Sequence, residues 1–203
     1  MKLHYSPRSP YVRKVMVCAI ELGMADRLEK VRSPVAMTEP NLELMRDNPL
    51  GRLPTLVTDE GMALFDSIVI CEYLDGLAGG KLFPSAGPAR IQALRWHALG
   101  DGMLDTGILW RNERDKPAVR QTPEWLGNFE LKTRNALDFL EGEVPALDAV
   151  PVGIGHVGIG CALGYLDFRF QDIRWRESRP GIAGWYARFS ERASMKDTQP
   201  SVD

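Results

Sequence analysis

Along the first eighty residues the spacing of apolar side chains switches between alternation and a helical period of about 3.6. Lys2-Leu3-His4-Tyr5-Ser6 reads as a short strand. Val12, Val15, Met16 and Ala19 then recur at helical spacing, with Ser9 suited to the N-cap, Pro10 to the first helical position and Gly23 to the stop. Leu28-Glu29-Lys30-Val31-Arg32 alternates like a strand, and a short helix is expected over 39–46. Thr55-Leu56-Val57-Thr58 and Met62-Ala63-Leu64-Phe65 flank Asp59-Glu60-Gly61, which is a hairpin signal. Ser67 to Leu77 returns to helical spacing through Ile70, Tyr73, Leu74 and Leu77. The order is β-α-β-α-β-β-α, a compact α/β unit.

The turn-rich run Gly79-Gly80-Lys81-Leu82-Phe83-Pro84-Ser85-Ala86-Gly87-Pro88 marks a boundary, and beyond it one period dominates. Ile91, Leu94 and Ala98 continue through Leu104 and Ile108 as a long helix, with Gly100 and Gly102 as places to bend. Leu126, Phe129, Thr133, Leu137 and Leu140 predict a second helix, Ile159, Leu163, Leu166 and Phe170 a third, and Ile182, Trp185, Tyr186 and Phe189 a fourth. All five tryptophans fall in this half, as large core residues of a helical bundle would. The polar tail from Ser194 is expected to be loosely held. The expected division is an α/β domain at 1–78, a linker at 79–87 and an all-helical domain at 88–203.

Composition narrows the function classes. With 44% hydrophobic and 26% charged residues, the 203-residue chain reads as an ordinary globular protein with ample core. A formal net charge of −2 gives no electrostatic footprint for nucleic acid, and no cationic block or long apolar run points to a membrane. Arg8, Arg13 and Lys14 interrupt any signal-peptide core, so a cytoplasmic location is expected. Cys18, Cys71 and Cys161 are odd in number and widely spaced, which fits buried reduced thiols and gives no metal-ligand spacing.

Candidate chemistry begins at Ser9-Pro10-Tyr11-Val12-Arg13-Lys14-Val15, where a strand feeds a helix start carrying a hydroxyl and two cations. Unpaired N–H groups and a positive dipole end make such a place fit to hold an anion, a thiolate included. Taken alone, Ser9 is simply a helix cap. A serine-hydrolase reading fails, because there is no Gly-x-Ser-x-Gly elbow and His4, His97 and His156 carry no triad signature. Gly153-Ile154-Gly155-His156-Val157-Gly158 matches a dinucleotide fingerprint. No βαβ unit surrounds it, however, and Pro145 and Pro151 interrupt the region before it.

Two further segments change the reading of Ser9: Asn48-Pro49-Leu50-Gly51-Arg52-Leu53-Pro54-Thr55-Leu56 and Leu64-Phe65-Asp66-Ser67. With these three segments the whole chain resembles the glutathione S-transferase family, most of all its serine-type bacterial and plant-like members. The resemblance implies a thioredoxin-like N-terminal domain followed by an all-helical C-terminal bundle, a homodimer, and a role in detoxification. It implies glutathione as cosubstrate, with no metal, and Ser9 as the catalytic hydroxyl. Leu53-Pro54 would be a cis peptide, turning the Leu53 backbone outward to pair with the cysteinyl unit of glutathione. Asp66 suits the ammonium and Ser67 the carboxylate of the γ-glutamyl end, and Arg52 the glycyl carboxylate. In this reading Ser6 is a competing hydroxyl and Arg13 a source of positive potential or a structural ion pair. Tyr11, Met103 and Trp110 would stand near the second substrate, a small, largely apolar electrophile.

The same resemblance leaves two alternatives. One is a non-catalytic binding module on this scaffold; the other is a glutathione-dependent reductase, which wants cysteine where Ser9 stands. Relatives usually open the Gly153 helix with a Ser/Thr cap and an Asp three residues on. Gly153 and His156 occupy those places here, so the reciprocal carboxylate is expected to be lost.

Overall fold

The computed structural model describes residues 1–201, which group into two compact units. The first comprises Met1–Arg90 together with the described residues from Ala193 on; the second is Ile91–Arg192.

The first unit holds a four-stranded mixed sheet in the order β2-β1-β3-β4. Strand β1 (Lys2–Tyr5) pairs in parallel with β2 (Glu29–Arg32), with Lys2 opposite Glu29 and Tyr5 opposite Arg32. Helix α1 (Pro10–Glu21) makes the crossover between them that parallel strands require. Strand β3 (Thr55–Val57) runs antiparallel to β1 with Thr55 opposite His4, and β4 (Ala63–Leu64) antiparallel to β3 with Leu64 opposite Leu56. The β3–β4 turn closes through Gly61 N–H to Thr58 O at 3.0 Å, at a glycine φ of 84° that other residues rarely adopt. Helix α2 shrinks to Leu44–Asp47, and α3 spans Ser67–Leu77. Val12, Val15 and Ala19 of α1 and Ile70, Cys71 and Leu74 of α3 form the core with Leu3 and Leu56 from the sheet.

The segment from Ser194 corrects the expectation of a loose tail. It forms helix α8 (Ala193–Lys196), with Met195 wholly buried. Ser194 Oγ donates to Glu21 Oε1 at 2.5 Å, and Arg13 Nη2 donates to Met195 O at 3.1 Å, so α8 is held on α1 by polar groups. Only one apolar side chain does the burying, which is why hydropathy gave no sign of it.

The second unit contains α4 (Gly87–Arg114, its body beyond Arg90), α5 (Pro123–Asp148), α6 (Ile154–Arg169) and α7 (Pro180–Ser190). Helix α5 continues through Pro145 where an interruption was expected, because Leu137, Leu140 and Leu147 are buried on both sides of that exposed proline. The carboxylate of Glu141 in α5 caps α7, accepting from Gly181 N at 2.8 Å and Ile182 N at 2.7 Å. Every residue of α6 from Ile154 to Leu166 is buried. Its glycines serve close packing: a Cβ on Gly155 would lie 2.7 Å from Trp96 Cβ, and one on Gly100 of α4 would lie 2.5 Å from the Gly158 carbonyl carbon. That packing accounts for the glycine spacing that mimics a dinucleotide loop.

Candidate active site

Strand register brings the three sequence segments to one end of the sheet. His4 faces Thr55, so the end of β1 lies beside the start of β3; Leu56 faces Leu64, so the end of β4 lies there too. The Ser6–Ser9 loop leaves β1, Leu53-Pro54 enters β3, and Phe65-Asp66-Ser67 leaves β4 at this same end.

Ser9 caps α1 from an extended conformation (φ −80°, ψ 118°), and its Oγ accepts from Val12 N at 3.3 Å. A hydroxyl that accepts from its own helix still carries a proton that it can donate. The first turn of α1 carries no acidic residue, so nothing there offsets the positive end of the helix dipole. Ser9 is half-buried, whereas Ser6 is 4% exposed, which favours Ser9 as the hydroxyl a ligand can reach. Arg13 is turned toward the C-terminal segment, with Nε 3.4 Å from Thr198 Oγ1, and Lys14 Nζ lies 5.6 Å from the Tyr11 ring centroid.

The Leu53–Pro54 bond is cis, as is Phe65–Asp66. The side chains of Leu53 and Pro54 are buried while that of Arg52 is exposed. Upstream, Gly51 takes a φ of 59° and donates its N–H to Asn48 O at 2.8 Å. The Asn48 side chain, 1% exposed, then ties the corner together. Nδ2 donates to Arg52 O at 3.2 Å and Thr55 Oγ1 at 2.9 Å, and Oδ1 accepts from Leu50 N at 3.0 Å. The role of Asn48 was missed in the sequence, although it stands in the motif.

Asp66 caps α3, its Oδ1 accepting from Ile68 N at 3.0 Å while the residue stays exposed; Ser67 is the first residue of the helix and 2% exposed. Together they present a carboxylate beside a helix start, one group for a cation and one for an anion.

Met103 and Trp110 are 5% and 4% exposed within the second unit, and Trp110 stacks on Phe170 with centroids 4.5 Å apart. The three cysteines are buried, and none of them is in a disulfide. Among the described residues no cluster of His, Cys, Asp and Glu could hold a metal, and no helix is long and apolar enough to cross a membrane.

The reciprocal carboxylate of the α6 cap is absent as expected, and His156 stands in for it. Its Nδ1 accepts from Gly153 N at 3.1 Å, and its Nε2 lies 3.1 Å from Leu147 O. The imidazole thus takes the place of the absent carboxylate and adds a bond to the end of α5. Burial pushes its pKa down, the largest influence on it, which favours the neutral ring this geometry requires.

Known proteins share this sequence pattern and fold. The family described as Glutathione S-transferase, N-terminal domain, matches residues 8–77, and Glutathione S-transferase, C-terminal domain, matches residues 123–188. An uncharacterized GST-like protein of Escherichia coli is 31% identical over 203 residues, covering 98% of both chains. A glutathione transferase family member from Pseudomonas fluorescens, solved with bound glutathione, is 41% identical with a TM-score of 0.95 and 99% coverage of each chain. A glutathione S-transferase from Methylobacillus flagellatus with GSH bound is 33% identical, with a TM-score of 0.89, over 98% of this chain and 99% of the other.

Proposed function

The chain belongs to the glutathione S-transferase family, and from that premise we propose that it binds glutathione at this sheet end and transfers its thiolate to a small, largely apolar electrophile. Leu53 would pair with the cysteinyl backbone of glutathione, Asp66 with its ammonium, Ser67 and the α3 start with the γ-glutamyl carboxylate, and Arg52 with the glycyl carboxylate. Pro54 keeps the corner in its present shape. Solved relatives with bound glutathione support the choice of ligand.

The observation that carries the catalytic role is the Ser9 hydroxyl, which accepts from Val12 and retains a proton to give. A free thiol ionises with a pKa of about 8.5, so most glutathione near neutrality is unreactive. Donation from Ser9 stabilises the thiolate by about 1.5–3 kcal/mol, and each unit of pKa depression needs about 1.4 kcal/mol, so one to two units are within reach. The electron pair of the thiolate sulfur then forms the new bond to the electrophile, whose leaving group or ring oxygen takes up the displaced charge.

Titrating glutathione into wild type and Ser9→Ala tests this, with binding read by calorimetry and ionisation by thiolate ultraviolet absorption against pH. Binding by both, with the bound thiol pKa raised in the variant, is the expected result. Binding with an unchanged thiol pKa removes Ser9 from the mechanism, and no binding by wild type overturns the glutathione reading. We also propose a cytoplasmic homodimer. Buried thiols outside any disulfide suit a reducing compartment, and Met62, Val69 and Leu77 are large apolar residues left exposed on the first unit.

A further inference from the structure

We infer that Asn48 is a positioning residue for glutathione, setting the backbone of the Arg52-Leu53-Pro54 corner without itself touching the ligand; this rests on the proposed function. All the polar groups of Asn48 are committed within the protein. Its N–H donates to Leu44 O at 2.9 Å, its C=O accepts from Gly51, and its side chain reaches Leu50 N, Arg52 O and Thr55 Oγ1. Thr55, wholly buried at the start of β3, donates its hydroxyl to Arg52 O at 2.9 Å. Two donors therefore converge on the carbonyl of Arg52, the peptide unit immediately before Leu53. Rotation of that unit would swing the Leu53 N–H, which a bound peptide backbone would need fixed.

Asn48 can impose this only if it is itself held, and its neighbour supplies the anchor. Asp47 Oδ2 accepts from Lys2 Nζ at 2.7 Å and faces His4 Nε2 at 2.8 Å, while His4 Nδ1 lies 2.7 Å from Ser33 Oγ. Lys2 and His4 alternate onto one face of β1 and catch the end of α2 there. The hydrogen bond from Lys2, followed by that from His4, holds the Asp47 carboxyl below its ordinary pKa. One residue thus fixes α2 to the central strand and the next transmits that position to the corner.

Calorimetric titration of glutathione into the full chain, with Asn48→Ala and Thr55→Val beside wild type, tests the assignment. Asn48→Ala is expected to bind about tenfold more weakly. Its KM for glutathione should rise with kcat and the bound thiol pKa unchanged, a split that a general loss of structure would not produce. Thr55→Val should weaken binding about threefold, and the double variant should fall short of the product of the two, since both donors serve one carbonyl. Unchanged affinity in a folded Asn48→Ala overturns the inference, as does a bound thiol pKa raised as far as in Ser9→Ala. If Asn48→Ala does not fold, unchanged affinity in Thr55→Val overturns it instead. Failure of wild type to bind removes both this and the glutathione reading, whereas wild-type binding with unaffected variants removes this one alone.

Discussion

Helices α1 and α6 begin in opposite ways. At α1 a half-buried hydroxyl accepts one bond from its own helix and has a proton to spare. At α6 there is no capping side chain, and His156, 3% exposed, spends both ring nitrogens on Gly153 and Leu147. The same backbone need, orphan N–H groups in a first turn, is met by an open arrangement in one place and a closed one in the other. A helix start that keeps hydrogen-bonding capacity in hand is fit to take a ligand; one whose capacity is used up serves the fold. Capping sequence alone does not separate them, and the accounting of donors and acceptors does.

The closed side should be the more fragile. Gly100→Ala would drive a Cβ to 2.5 Å from the Gly158 backbone, forcing α4 and α6 apart next to the cap. A loss of about 3 kcal/mol is expected, read as a lower urea midpoint. His156→Ala leaves the Gly153 donor and the Leu147 acceptor without the imidazole and should cost about 2–3 kcal/mol.

Acid should weaken the same cap without any substitution. Since Gly153 donates to Nδ1, the proton of the neutral ring sits on Nε2 and goes to Leu147 O. A second proton on Nδ1 would oppose the Gly153 N–H. Burial holds the folded pKa below the unfolded value of about 6.5, so the unfolded chain binds the proton first. Stability from this group is therefore complete above about pH 6.5 and falls as pH drops through that value toward the folded pKa, by at most about 1.4 kcal/mol per pH unit. The charged groups near the ring are Asp148, Arg188 and Arg192, and Arg188 is paired with Asp148 at 2.8 Å. Thermal unfolding between pH 7 and 5 should show this slope in wild type, and His156→Gln should lack it.

The smallest change in stability belongs to the open side. Ser9→Ala gives up one cap bond and should cost about 1 kcal/mol, while moving the bound thiol pKa upward by one to two units. A larger loss of stability than in His156→Ala would undo the contrast between the two helix starts.

The open side was also the more legible in sequence. Ser9, Pro10 and Gly23 announce α1, and the spacing of buried Ile70 and Leu74 against exposed Glu72 gives α3 with its bounds, because that helix buries one face only. Helix α6 offers no such contrast from Ile154 to Leu166, so its existence was readable and its surroundings were not. Helix α8 was hidden for the opposite reason, since Ser194 looks like a tail residue until its hydroxyl is seen to donate to Glu21 and Arg13 to donate to Met195 O. At the site, residue types pointed to Ser9, Leu53, Asp66 and Ser67, but strand register was needed to bring them to one edge. The service of Asn48 to a carbonyl four residues away is a matter of side-chain geometry that spacing does not encode.

With burial on every side from Ile154 to Leu166, the body of α6 has no edge from which to fray. Its amides can meet deuterium only when the helices around it part, so they should exchange last and report the opening of the second unit as a whole. The glycines that let its neighbours come so near thereby turn a weak helix former into the slowest clock of that unit.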